Sequence, residues 1–270
     1  MTESDRDGAP PPRATPPHLR ALRGTVVVRA DPEALFAELE QHLRDVAIAA
    51  CEQRGVFHLA LSGGGTPRPF YERLARSTAD FPWSATHLWL VDERSVPLDD
   101  ERSNWRGIRQ ALADRVSCPR AQLHPVPVDA VDPAGEYEAE IVRTFARTTG
   151  VLPPRFDLAL LGMGADAHTA SLFPGSRALA VRDRSVTAND GPGVVPPPRV
   201  TLTFAALERV RELVVLVTGR EKSAALARVA TALARGDVDA SALPIAAVDP
   251  SPHGGALTWY LDAAAATVSR

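Results

Sequence analysis

Short, almost uninterrupted apolar segments alternate with helical patterns along most of this 270-residue chain, and this alternation constrains the fold most strongly. Strands that are apolar on both faces and separated by helices form a parallel sheet covered on both sides. The sequence therefore predicts a Rossmann-like α/β fold, with a mainly parallel sheet and helices on both faces. The predicted strands are residues 25–28, 56–61, 87–91, 156–161, 213–217 and 258–261, and the predicted helices are 31–51, 66–75, 103–116, 133–147 and 222–234.

The N-terminal segment differs in composition from the rest of the chain. Residues 1–23 are polar and rich in proline, which predicts a disordered tail and leaves residues 24–270 as a single α/β domain. The first seven residues are polar with no apolar segment behind them, so we expect a cytoplasmic protein without a secretory signal. No apolar run approaches the roughly 18 residues of a membrane span. With 30 basic and 33 acidic residues, the net charge of −3 does not favour a nucleic-acid partner.

Two residue types are rare enough to be informative. Cys51 and Cys118 match no metal-binding spacing, so we expect them to be reduced core residues. Lys222 is the only lysine among the 30 basic residues. Either it survived by chance in an arginine-rich chain, or a compact ammonium is needed at that position.

Polar and glycine-rich segments follow four of the predicted strands. In an open α/β sheet, ligands bind beyond the carboxyl ends of the strands. Because all four segments would meet at one edge of the sheet, they predict a functional site there. The segments are residues 62–67, 92–94, 162–169 and 218–223.

The segment after the second strand carries three consecutive glycines before a helix. Glycine lets backbone amides approach an anion, and the helix N-terminus favours negative charge. The segment matches neither GxGxxG nor the Walker pattern, so it favours a simple phosphate over a nucleotide. Lys222, close to the start of another helix, supports a phosphate site. The glycine segment consists of Ser62, Gly63, Gly64, Gly65 and Thr66.

The segment after the fourth strand contains an acid–histidine pair. Asp166 and His168 are two positions apart, and a histidine there could take a proton from water near neutral pH. No second histidine or cysteine stands at ligand spacing, so we expect no metal. The absence of GxSxG disfavours a serine nucleophile. Residues 92–94 (Asp-Glu-Arg) suit either a salt-bridged surface turn or a part of the site.

Taken together, these motifs resemble those of the 6-phosphogluconolactonases. The resemblance runs in family order from about residue 25 to the C-terminus, and the string His-Thr-Ala-Ser-Leu-Phe-Pro is its most specific part. It implies a Rossmann-type fold and hydrolysis of 6-phosphogluconolactone, a sugar-phosphate lactone, without a metal or an organic cofactor. The matching segments are residues 61–67, 92–97 with 103–104, 161–164, 168–175, 197–201 and 219–222.

The resemblance also implies a role for each candidate residue. His168 would be the general base that activates water, and Asp166 would orient it. Arg94 and Asp92 would contact the sugar near the reacting carbon. Residues 62–66, Arg199 and Lys222 would hold the phosphate. The family usually has glycine where this chain has Ala167, so a positive φ at that position would add strain.

Two other functions are compatible with such a chain. A sugar-phosphate isomerase-deaminase shares the motifs up to the histidine but then typically continues with Asn-Glu-Pro, whereas this chain reads Ser-Leu-Phe-Pro at 171–174. A non-catalytic sugar-phosphate sensor that regulates DNA would need a DNA-binding domain, and the segment before residue 24 is too short for a helix-turn-helix. Both are less favoured than the lactonase.

Overall fold

A seven-stranded parallel sheet forms the centre of the protein in the computed structural model, which describes residues 14–77, 81–190, 194 and 197–267. The ten strands are β1 Thr25–Arg29, β2 Phe57–Leu61, β3 Thr86–Leu90, β4 Asp92–Arg94, β5 Leu123–His124, β6 Leu158–Gly162, β7 Val186–Asn189, β8 Arg199–Leu202, β9 Glu212–Val217 and β10 Ala256–Asp262. The α-helices are α1 Pro32–Arg54, α2 Arg68–Arg76, α3 Asn104–Ala111, α4 Pro133–Thr148, α5 Phe204–Leu207, α6 Ser223–Arg235 and α7 Pro244–Ala247.

The order of strands in the main sheet is β1-β10-β9-β6-β2-β3-β5, and every neighbouring pair is parallel. Every residue of β2 and β3 is buried, which requires cover on both faces of the sheet. The predicted α/β fold with a mainly parallel sheet is therefore confirmed. The chain runs outward from β2 on one side and from β6 on the other, so the order reverses between these two strands. Such a switch point opens a crevice at the carboxyl ends of the strands.

The helix boundaries follow from local sequence. Asp31 caps α1 by accepting a hydrogen bond from the backbone N–H of Ala34, and Pro32 occupies the first turn. Gly55 ends that helix with a φ of 74°. Ser103 caps α3 in the same way. The helix predicted over 103–116 is shorter than expected, because a 3-10 turn over Ala113–Arg115 follows α3.

A second, three-stranded antiparallel sheet was not predicted from the sequence. It has the order β4-β8-β7 and joins the main sheet where the backbone N–H of Leu202 donates to the carbonyl of Val91. Its strands are three or four residues long, too short to show a clear hydrophobic period. The loop predicted over 189–198 lies partly outside the described residues.

The prediction of a disordered tail over 1–23 is wrong for its last ten residues; residues 1–13 lie outside the described part. A 3-10 turn over Pro17–Leu19 contacts α6, and Leu19 and Leu22 are buried in the core. Arg23 donates to the carbonyl of Ala246 at 3.1 Å, and its own carbonyl accepts from the Trp259 indole at 3.0 Å. Burial of two leucines stabilises this segment despite its proline-rich composition.

Replacing Leu19 with alanine should therefore destabilise the whole protein. The side chain is fully buried, so Leu19→Ala should lower the free energy of unfolding by about 2–5 kcal/mol through lost burial and a cavity. Urea denaturation at neutral pH measures the change. Arg20→Ala, at an exposed neighbouring position, is the control and should stay within about 0.5 kcal/mol of the parent. Equal stability of the two variants would show that this segment does not belong to the cooperative core.

Two other sequence predictions concern single features. Both cysteines are free, Cys118 buried and Cys51 half-buried. Among the described residues, no helix is both long enough and apolar enough to span a membrane.

Candidate active site

A cavity of about 170 Å³ opens at the switch point between β2 and β6. Segments that follow β2, β3, β6 and β9 all contribute to its wall, so the four segments meet at one edge of the sheet as predicted from the sequence. Its lining residues are Ser62, Gly63, Thr66, Pro67, Asp92, Arg94, Asn104, Gly162, Met163, Gly164, His168, Ala170 and Lys222.

The acid–histidine pair lies on the β6 side of this cavity. Asp166 Oδ1 is 2.6 Å from His168 Nδ1 and also accepts the backbone N–H of His168 at 3.1 Å. Burial would raise the pKa of Asp166, but the charge and hydrogen bonds of His168 outweigh it and hold the pKa below its ordinary value. The ionised carboxylate keeps the proton of a neutral imidazole on Nδ1, so Nε2 is left as the acceptor. His168 thus has the tautomer that a general base needs.

The backbone around the pair is tightly constrained. A side chain at Gly164 would place its Cβ 2.1 Å from His168 Nδ1, so the imidazole needs glycine at this position. Ala167 has a φ of 70°, the conformation in which alanine in place of the family's glycine adds strain. A non-glycine residue in this region costs about 1–2 kcal/mol. Hydrogen bonds from Ala167 N to the Gly164 carbonyl and from Ile245 N to the Ala167 carbonyl hold the strained residue in place.

The acidic pair after β3 is buried and does not form a salt-bridged surface turn. Asp92 accepts a hydrogen bond from the Ser171 hydroxyl at 2.6 Å. Glu93 is fully buried and accepts from three backbone N–H groups, two of which belong to the first turn of α3, and from the Ser103 hydroxyl. Burial raises the pKa of Glu93 against the effect of these bonds. Glu93 thus anchors α3, whereas Asp92 and Arg94 face the cavity.

The glycine segment after β2 is divided between two adjoining cavities. Ser62, Gly63 and Thr66 line the main cavity, and Gly64 and Gly65 line a neighbouring one of about 160 Å³. Both cavities share Gly63, Arg94 and Asn104. A Cβ at Gly63 would stand 2.0 Å from Asn104 Oδ1, so glycine is required for this close approach. Ser62 Oγ is buried and has no hydrogen-bond partner among the described residues.

The two predicted phosphate-binding cations have different positions. Lys222 lines the cavity from the residue immediately before α6, as predicted. Arg199 does not line it: the guanidinium donates to the Pro197 carbonyl and lies 5.9 Å from the centre of the Phe173 ring. Burial, and then the charge of Arg94, lower the pKa of Arg199 against the opposing effect of Asp92 and Glu93. Arg199 therefore adds positive charge beside the cavity.

Asn104, Met163 and Ala170 also line the cavity, although no role was predicted for them from the sequence. Asn104 donates from Nδ2 to the Asp92 carbonyl at 2.9 Å and so connects α3 to β4. Residues 103–104 are among the segments that match the family motifs, so this match could have indicated a role for Asn104. Met163 and Ala170 are ordinary apolar residues with no such signal. Over the described ranges, no group of three or more His, Cys, Asp or Glu side chains is arranged to hold a metal ion.

Comparison with known proteins agrees with this geometry. The family model described as glucosamine-6-phosphate isomerases/6-phosphogluconolactonase matches residues 30–259. The chain belongs to this family. The residues that build the cavity on all four strand ends lie inside the matched range.

Several proteins of known sequence or structure are similar to this chain. A 6-phosphogluconolactonase from Synechocystis is 41% identical over 216 residues, covering 79% of this chain and 85% of that protein. The human GDH/6PGL endoplasmic bifunctional protein is 37% identical over 94% of this chain, which spans only 32% of the human protein. The crystal structure of the 6-phosphogluconolactonase from Thermotoga maritima superposes with a TM-score of 0.68 at 30% identity, covering 88% of this chain and 99% of that one.

Proposed function

We propose that this protein hydrolyses 6-phosphogluconolactone to 6-phosphogluconate, as a cytoplasmic enzyme that needs no metal or organic cofactor. The observation that carries the proposal is the His168–Asp166 pair at 2.6 Å, placed on a cavity that Lys222 and the glycine segment also line. A base and a phosphate-binding cation on one cavity suit a substrate with a reactive carbonyl at one end and a phosphate at the other. The Synechocystis and Thermotoga relatives carry the name of this activity.

His168 starts the reaction by taking a proton from water. Its Nε2 accepts that proton while Nδ1 stays bonded to Asp166, which stabilises the imidazolium that forms. The water oxygen adds to the C1 carbonyl and gives a tetrahedral intermediate. Breaking the bond from C1 to the ring oxygen then yields the acid, and one proton passes to the ring oxygen to complete the new hydroxyl group.

Positive charge in and beside the cavity would stabilise two negatively charged parts of the substrate, the oxyanion at C1 and the phosphate. Arg94, whose Nε is buried and without an acceptor in the described part of the chain, would stabilise the oxyanion that develops at C1. Lys222 and the amides of residues 62–66 would bind the phosphate. Arg199, which does not line the cavity, would add positive charge beside it. Asp92, fixed by Ser171, would accept a hydrogen bond from a sugar hydroxyl.

A lactonase assay beside a deaminase assay tests the proposal. Fresh 6-phosphogluconolactone should be hydrolysed well above its spontaneous rate, and glucosamine 6-phosphate should release no ammonia. The chain lacks the acid that typically stands before the proline of Asn-Glu-Pro in deaminases, since Leu172 and Phe173 precede Pro174 here. Ammonia release without lactone hydrolysis would replace the lactonase with the deaminase.

The lone lysine should contribute through the substrate phosphate. Charge-assisted hydrogen bonds contribute ~1.5–3 kcal/mol, so Lys222→Ala should lower kcat/KM by ~10- to 150-fold on the phosphorylated lactone. The same change should have little effect on plain gluconolactone, which lacks the phosphate. Steady-state kinetics on both lactones measure the difference.

Two further variants make this test specific. Lys222→Arg keeps the charge but introduces a larger, planar group, and it should not restore full activity. Arg220→Ala, an exposed cation in the same turn that does not line the cavity, should behave as the parent. If Lys222→Ala slows both lactones equally, Lys222 supports the fold and does not bind phosphate.

A further inference from the structure

A second polar cavity, of about 360 Å³, lies at the edge of the sheet opposite to the candidate active site. It is bounded by the end of α1 and by the residues at or just before the starts of β6, β9 and β10. In a parallel sheet these starts are separated from the strand ends by the strand length, about 16 Å for five residues. Three arginines line it: Arg54, Arg155 and Arg211.

The buried carboxylate in this cavity is already satisfied by other groups. Asp157, whose side chain is 2% exposed, accepts from Arg54 Nη2 at 2.8 Å and from the backbone N–H of His58 at 2.8 Å. Arg211 Nε is 3.4 Å from the same Asp157 oxygen that Arg54 contacts. The other nearby acid, Glu212, is directed toward His42 at 3.8 Å. Asp157 therefore pairs with two of the guanidinium groups, and the cavity lining holds three arginines against two carboxylates, because Glu212 also lines it.

Arg155 and Arg211 keep most of their donors free for a ligand. Arg155 makes one hydrogen bond, from Nη2 to the Gly254 carbonyl at 2.9 Å. Among the described residues, Nε of Arg155 is buried without a hydrogen-bond acceptor, and Nε of Arg211 has only the 3.4 Å ion pair with Asp157 and no hydrogen bond. Burial and then the charges of Arg54 and Arg155 lower the pKa of Arg211, with Asp157 opposing. A buried donor without an acceptor is costly, and so is the repulsion between neighbouring guanidinium groups. A bound anion would relieve both costs.

We propose that this arginine cavity binds the phosphate group of a small phosphorylated metabolite, mainly through Arg155 and Arg211. Two guanidinium forks match the several oxygens of a phosphate better than a single carboxylate does. The cavity is larger than a phosphate ion needs, and Val46 and Ala49 provide an apolar wall for the organic part of the ligand. Binding here does not depend on the reaction proposed for the opposite edge.

Equilibrium dialysis with radiolabelled inorganic phosphate, at ionic strength fixed with sodium chloride, tests the site on the full chain. The parent should bind two phosphates, one at Lys222 and one in the arginine cavity. Arg155→Glu should bind the phosphate in the arginine cavity at least ~10-fold more weakly than the parent does. Arg155 makes no ion pair with Asp157, so this variant should fold, and an unchanged melting temperature checks that. Arg143→Glu, a 64% exposed arginine on α4, is the control and should bind as the parent.

The pattern of losses separates this site from the catalytic one. If Arg155→Glu binds as many phosphates as the parent with the same affinity, the arginine site is overturned. If the parent binds one phosphate that Arg155→Glu loses and Lys222→Ala keeps, the arginine site stands and the phosphate role of Lys222 fails. A second arm uses 6-phosphogluconate and gluconate as probes. If 6-phosphogluconate displaces the labelled phosphate from this cavity and gluconate does not, the result supports a phosphorylated ligand. Equal displacement by the two compounds contradicts phosphate recognition.

Discussion

His168→Ala should lower kcat for 6-phosphogluconolactone by ~10²–10⁴, the usual share of general-base catalysis. The imidazole is held by Asp166 at 2.6 Å with Nε2 available to water, and alanine has no group that takes the proton. KM should change less, because the groups proposed to hold the phosphate, Lys222 and the glycine segment, are unchanged. Stopped-flow measurement with the spontaneous hydrolysis subtracted gives the effect, since the lactone also opens unaided.

Two more variants separate the base from the fold around it. His253→Ala, an exposed histidine outside the cavity, should keep the parent rate. Asp166→Asn should lower kcat less than His168→Ala does, because the base remains but loses the carboxylate that fixes its tautomer. A His168→Ala enzyme with near-normal kcat would move the role of base to another residue.

The main sheet and the catalytic edge were predictable from the sequence because their signals are local. Each of the four strands before a site segment carries an apolar run of four or five residues, interrupted only by His58 in β2, and each site segment follows its run directly. The edge strand β5, which is two residues long, was not predicted. The position of His168 and Lys222 on one cavity required only that parallel strands end at the same edge. The position of Arg199 behind the wall did not follow, because it depends on the pairing of β4 with β8.

The remaining features depend on contacts between segments far apart in sequence. Leu19 and Leu22 were hidden in a proline-rich composition, and the turn that carries Leu19 contacts α6, about 200 residues later. From the sequence alone, an acid such as Glu93 is expected at the surface. In the structure α3 covers it, and the first backbone N–H groups of that helix donate to its carboxylate. The buried histidines on three neighbouring strands could be read only as single core or surface residues before the strand register was known.

These buried histidines should make the protein lose stability in mild acid. His58, His87 and His124 lie on β2, β3 and β5 and contact one another around Trp89. Burial lowers the pKa of His58 to about 2, helped by the charges of the two other histidines and of Arg54. Burial lowers those of His87 and His124 to about 4, with Arg147 adding to the effect and Glu140 opposing it.

Hydrogen bonds give the same direction independently. Trp89 donates its indole N–H to His58 Nδ1 at 3.1 Å, so that nitrogen is unprotonated, and Nε2 lies 2.9 Å from the Thr148 hydroxyl. His87 Nδ1 and His124 Nε2 are 2.9 Å apart, and only one of the two nitrogens can carry the proton between them. Adding a proton to His58 Nδ1, or to whichever of the two paired nitrogens of His87 and His124 is the acceptor, breaks a buried hydrogen bond.

The unfolded chain binds these protons near pH 6.5 while the folded protein does not, so stability falls as the pH drops below 6.5. Each histidine contributes about 1.4 kcal/mol per pH unit, which gives a loss of about 4–6 kcal/mol by pH 5 for the three. Urea denaturation from pH 7.5 to 5 should show an uptake of two to three protons on unfolding. Carboxylates with ordinary pKa values titrate mainly below that interval, so histidines dominate the uptake. His124→Gln should reduce the uptake by about one proton. An uptake below one proton between pH 5.5 and 6.5 would mean that the three rings are not held neutral by the fold.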